Sequence, residues 1–113
     1  MAKARSTRAR RWVQRAVSAV AAGMLLLGCA RSARLDREID RVSGALAEAE
    51  AQGARRCAPR ELAIAQSRLE FARLEREQGS VADASEHLDV AIENAQAAAL
   101  LSTPERCPPP RLP

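Results

Sequence analysis

Reactive side chains are few in this 113-residue sequence, and three of them are thiols: Cys29, Cys57 and Cys107. A cysteine can serve as nucleophile, metal ligand, disulfide partner or attachment point, and its surroundings decide which. The single histidine, His87, could act as a base or complete a metal site with Cys57 and Cys107. It lies between Glu86 and Asp89 in a stretch with helical periodicity, and no serine–histidine–aspartate constellation accompanies it. Glu70, Glu75 and Glu77 alternate with Arg68, Arg73 and Arg76, the pattern of a solvated helix surface laced by i,i+4 pairs and not of paired catalytic acids. No glycine-rich phosphate loop is present. The sequence therefore predicts no enzyme, no cofactor, no metal and no small-molecule substrate.

The chain carries 18 Lys and Arg against 14 Asp and Glu, but the excess is local. Lys3, Arg5, Arg8, Arg10, Arg11 and Arg15 all precede Cys29, with no acid among them. Taking those six cations from 18 leaves 12 against 14 acids, so the remainder is near −2. Phe71 is its only aromatic residue. With neither a phosphate-tracking surface nor stacking platforms, nucleic acid is not an expected partner.

Behind the cations, Ala16 to Gly28 is an uninterrupted apolar run. At about 1.5 Å per residue it spans near 20 Å, short of the ~30 Å hydrocarbon core, and it reads as the apolar region of a secretory signal peptide over residues 1–28. Leu26-Leu27-Gly28-Cys29 resembles the lipobox of bacterial lipoproteins. That resemblance implies a diacylglyceryl thioether on the Cys29 sulfur, cleavage after Gly28 and acylation of the new amine; several chains hold stably where one does not. Ala30 and Arg31 follow the cysteine, and the absence of Asp there resembles sorting to the outer membrane. Arg10-Arg11 is followed by Trp12-Val13-Gln14, which lacks the paired apolar residues of a twin-arginine signal, so general secretion is expected. With Cys29 lipidated, Cys57 and Cys107 remain as an even pair in an oxidising compartment, free to form a disulfide or, with His87, a metal site.

The elements that must position these residues are helices. After a polar lead over 29–34, Leu35, Ile39, Val42, Leu46 and Ala49 recur at spacings of three and four, a stripe of an amphipathic helix over 35–52 ended by Gly53. A second helix opens at Pro59, a favoured first-turn residue, and stops near residue 78 before Gly79. It carries two apolar stripes, Leu62, Ala65, Leu69 and Ala72 on one side and Ile64, Phe71 and Leu74 on another, so it needs two neighbours. A third helix over 81–102 follows Ser80, expected to cap it by its hydroxyl, with Asp83 in the capping-box position. Its stripe, Ala84, Leu88, Ala91, Ala95 and Ala98, is mostly alanine, which permits a tight antiparallel hairpin with the second helix. Pro104 ends it and residues 104–113 form a proline-rich extended tail. Such a hairpin brings Cys57 beside Cys107 and leaves His87 near the turn, roughly 22 Å away, so a disulfide is expected and a shared metal site is not.

Glu70-Phe71-Ala72-Arg73-Leu74-Glu75 with Gly79, Ala84, Leu88 and Ala91 resembles one tetratricopeptide-type helical hairpin. Over a longer span, Arg56-Cys57-Ala58-Pro59-Arg60-Glu61-Leu62-Ala63, Leu69-Glu70-Phe71-Ala72, Glu86-His87-Leu88, Asn94-Ala95 and Pro104-Glu105-Arg106-Cys107 resemble a family of uncharacterised envelope lipoproteins. In that family this segment often precedes calcium-binding acidic repeats and an OmpA-type wall-binding domain; no residues resembling that domain follow here, and no peptidoglycan ligand is expected. The fold expectation is all-α: a three-helix bundle over 35–103, containing a tetratricopeptide-like hairpin clamped by a Cys57–Cys107 disulfide. The functional expectation is an outer-membrane lipoprotein, anchored through lipid on Cys29 and facing the periplasm, that acts as a small structural or protein-interaction module. A pilotin-like accessory holding a segment of a larger envelope or secretion assembly is the alternative. The first helix is expected to cover the Ile64, Phe71 and Leu74 face and make Phe71 core, with whatever it leaves open contacting an envelope protein.

Overall fold

The computed structural model describes residues 2–111, with side chains from Thr7 onward. Met1, Leu112 and Pro113, at the outer ends of the expected signal peptide and tail, and the side chains of Lys3 and Arg5 lie outside the described residues. The described chain is all-helical: α1 (Ala2–Ala51), α2 (Ala54–Cys57), α3 (Pro59–Glu77) and α4 (Val81–Leu101). It divides into two compact units, Met1–Ala33 and Arg34–Pro113.

The first unit is helical from Ala2 and contains the cationic segment and the apolar run. From Trp12 to Leu27 every large apolar side chain is exposed. Residues 29–34, expected to be a polar lead, are helical as well. The reason is local: no proline occurs before Pro59, and Ala30, Arg31, Ala33 and Arg34 are all good helix formers.

In the second unit the periodicity does what it promised. Leu35, Ile39, Val42, Leu46 and Ala49 of α1 are buried together with Leu62, Ala65, Leu69 and Ala72 of α3 and Ala84, Leu88, Ala91, Ala95 and Ala98 of α4. Gly53, at φ 99°, ends α1. A turn of helix, α2, follows that the sequence did not announce. It ends at Ala58, whose φ of −144° and ψ of 52° lie outside the helical region, because the ring of Pro59 disfavours helix in the residue before it. Pro59 then opens α3 as expected.

The turn between α3 and α4 is a Schellman motif around Gly79 at φ 86°. The Ser80 amide donates to Glu75 O (2.9 Å) and the Gly79 amide to Arg76 O (3.2 Å). Ser80 occupies the cap position of α4, but its hydroxyl makes no capping bond, and the expected capping box with Asp83 is not formed. With φ −82° and ψ 71° and its amide committed to the turn, Ser80 contributes its carbonyl instead, which accepts from the Ala84 amide at 2.9 Å. α3 and α4 run antiparallel, since Cys57 meets Cys107 at one end and Arg68 meets His87 nearer the other.

Candidate anchoring and contact sites

Cys29 has an exposed, free thiol. It ends the apolar run, in which Leu25, Leu26 and Leu27 are also exposed. An exposed thiol can be reached by a modifying enzyme, as a buried one cannot. α1 also contains a stretch long and apolar enough to cross a membrane, near the N-terminus. Signal sequences near an N-terminus share that length and apolarity, so the stretch is compatible with the expected signal peptide.

The second pair of cysteines is joined. Cys57 at the end of α2 and Cys107 beyond α4 form a disulfide, with Cα atoms 5.9 Å apart, within the range such a bridge requires. Two features bring Cys107 back to α2. The carbonyl of Thr103 accepts from the amides of Arg106 (3.0 Å) and Cys107 (2.8 Å), so the chain turns through 103–107 where an extended tail was expected. Arg56 then holds the strand beyond, its Nη2 donating to Pro108 O at 2.7 Å. A cleft of about 550 Å³ lies beside the bridge, lined by Gly53, Arg56, Ser102, Thr103, Pro109 and Pro110 among others.

His87 is half-buried on α4. Its Nδ1 stands 3.1 Å from Arg68 Nη1, and its ring lies 5.4 Å from that of Phe71, tilted by 31°. A guanidinium only donates, so Nδ1 accepts and its lone pair is occupied. That arrangement positions a histidine structurally and gives it no carboxylate to orient it as a base. Among the described residues no three His, Cys, Asp or Glu side chains gather to hold a metal.

The expected burial of Phe71 is overturned. Phe71 is 48% and Leu74 42% exposed, and Ile64 is half-buried. The residues of α1 reach α3 elsewhere: Arg73 Nη2 donates to Ser43 Oγ at 3.1 Å, Gln66 to Glu50, and Arg76 Nη2 to Asp36 Oδ2 at 2.9 Å. Arg76 Nε also lies 2.9 Å from Asp36 Oδ1 but makes no hydrogen bond, so it adds Coulomb attraction without direction. One stripe of α3, Leu62, Ala65, Leu69 and Ala72, therefore serves both neighbours, flanked by Gln66, Arg73 and Arg76 toward α1 and by Arg68 toward α4. Two stripes were not needed because the small residues let both helices approach the same face. Ile64, Phe71 and Leu74 are left as an apolar strip on the outside.

A groove the sequence did not reveal lies between α1 and α4, about 360 Å³, floored by Val42, Ala45, Ile92, Ala95 and Ala99. The signal that could have found it is the coincidence of alanines at facing positions of two helices. No family model matches this chain, and no curated protein or solved structure is detectably similar to it.

Proposed function

We propose that this chain is an outer-membrane lipoprotein, anchored by acyl chains on Cys29 after loss of residues 1–28, and that it acts as a small structural or protein-interaction module. In this reading Arg34–Pro113 is a three-helix bundle facing the periplasm, with α3 and α4 as a tetratricopeptide-like hairpin, and no catalysis is performed. The observation that carries the reading is the exposed thiol of Cys29 at the end of an apolar helical run whose large side chains are all uncovered. Such a surface is unsuited to water and suited to the interior of a bilayer during export. The disulfide supports an oxidising compartment. The exposed strip of Phe71 and Leu74, with Ile64 beside it, supplies a candidate contact for an envelope protein.

In the native host, Cys29→Ala should abolish fatty-acid labelling and leave an unprocessed precursor. Normal cleavage and labelling in that variant would overturn the reading. A second reading, that residues before Cys29 are retained as a membrane-spanning anchor, draws on the length and apolarity of α1, which a signal sequence shares. Intact mass of the wild-type protein separates the two, because only the first removes residues 1–28 and adds acyl mass.

A further inference from the structure

The arginines on the helices of the second unit fall into two groups. Those on α2 and α3 are mostly engaged: Arg55 with Glu50 at 2.7 Å, Arg56 with Pro108 O, Arg68 with His87, Arg73 with Glu70 and Ser43, and Arg76 with Asp36. Those on α1, Arg34, Arg37 and Arg41, are exposed and have no ion pair or hydrogen-bond partner among the described residues. At 3.6 residues per turn the three fall within roughly 60° of arc, a single row along the helix beside the buried Leu35, Val42 and Leu46 stripe.

The acids around this row offset it in part. Asp36 is turned toward Arg76, Glu38 is half-buried in the wall of the α1–α4 groove that Arg41 also lines, and Asp40 is exposed at the other margin, so the row keeps a surplus of one positive charge over Glu38 and Asp40. Asp89 and Glu93 of α4 are exposed but form no ion pair with these arginines. A row of unpaired guanidiniums, each with donors spread in a plane, suits a layer of phosphate groups better than one compact ligand.

We propose that Arg34, Arg37 and Arg41 dock on the anionic phospholipid headgroups of the membrane that holds Cys29. The proposal rests on the lipid-anchor reading. Arg34 is five residues beyond Cys29, so whatever path the backbone takes it lies within about 18 Å of the anchor. The long arginine side chain shortens the remaining gap toward the ~8 Å range over which a charged surface acts at physiological salt. Each arginine at such a surface strengthens docking roughly fivefold, and the flanking Glu38 and Asp40 hold the row below the roughly hundredfold that three unopposed arginines would give. The consequence is orientation: α1 is drawn down to the bilayer with its arginine row, and the α3 strip of Phe71 and Leu74 is left free.

The test uses the full-length protein expressed in its host and reconstituted into vesicles of phosphatidylcholine alone or of phosphatidylcholine with phosphatidylglycerol. Amide hydrogen exchange is followed over residues 31–45. Wild type should exchange several-fold more slowly in the phosphatidylglycerol vesicles, and high salt should erase the difference. The variant R34Q/R37Q/R41Q, whose exposed positions leave the melting temperature unchanged, should show no difference between vesicles. Equal exchange of the wild type in both vesicles, or protection that persists in the triple variant, overturns the proposal and leaves an acidic protein surface as the occupant of the row. Intact mass of the same samples reports acylation of Cys29, so failure of the anchor reading is registered separately.

Discussion

Leucine behaves in opposite ways in the two units. Leu25, Leu26 and Leu27 are 69–73% exposed, whereas Leu35, Leu46, Leu62, Leu69 and Leu88 are 5% exposed or less. The difference is one of spacing, since the first three are consecutive while each of the others belongs to a stripe of apolar residues that recurs every three or four positions along its own helix. A continuous apolar run has no polar side to give to water, and it is useful only where the solvent is lipid. A striped helix can satisfy water and core at once. In the proposed reading the apolar residues of the first unit act as an address; those of the second build a core.

Breaking the disulfide should have the largest effect on the folded unit and none on the address. The bridge closes a separation of 50 residues, for which the chain-entropy model gives about 4 kcal/mol as an upper figure. Cys57→Ser with Cys107→Ser should lower the thermal midpoint sharply while fatty-acid labelling at Cys29 continues. Leu69→Ala sharpens the contrast between the two kinds of leucine. It should cost about 3 kcal/mol by leaving a cavity in the core, whereas Leu26→Ala should leave the denaturation curve of the helical unit where it was. A smaller effect of opposite sign is expected at Gly44, helical and with nothing within 4 Å of where a Cβ would stand. Gly44→Ala should stabilise by about 1 kcal/mol, seen as a raised denaturation midpoint; the same change at Gly79, at φ 86°, should destabilise. Phe71→Ala should alter stability least, by under about 1 kcal/mol, since half of its surface is already wet. Loss of a crosslinked partner, with an unchanged melting curve, would mark Phe71 as an anchor of contact.

The punctuation of the fold was legible because it comes from residues with strong backbone constraints. Pro59 opened α3, Gly53 and Gly79 closed α1 and α3, and the antiparallel course they imply brought Cys57 to Cys107. The contacts between helices were less legible. Phe71 drew attention as the large aromatic that ought to be covered, yet the site of closest approach was the alanine-bearing face of α3, which no single residue advertises. Other small side chains, Ala45 of α1 with Ala95 and Ala99 of α4, made the α1–α4 groove, a property of two helices facing each other and of neither alone. Ser80 was misread for a different reason: a serine before a helix is a good cap only if its backbone is free to present it, and here the Schellman turn uses that backbone.

The alanine content of the core has a thermal consequence. Of the sixteen buried apolar residues among those described, nine are alanine, so unfolding exposes little apolar surface for a helical domain of this size. Apolar hydration is the main source of the heat-capacity increment of unfolding, ordinarily about 12–15 cal/mol/K per residue. The increment for Arg34–Pro113 should fall at or below the low end of that range, with the cross-link lowering it further by keeping the denatured chain compact. A small increment flattens the curve of stability against temperature. The domain should consequently keep a nearly constant margin of stability over a broad span of temperatures, and meet cold denaturation far below the range in which a leucine-rich bundle of equal size would.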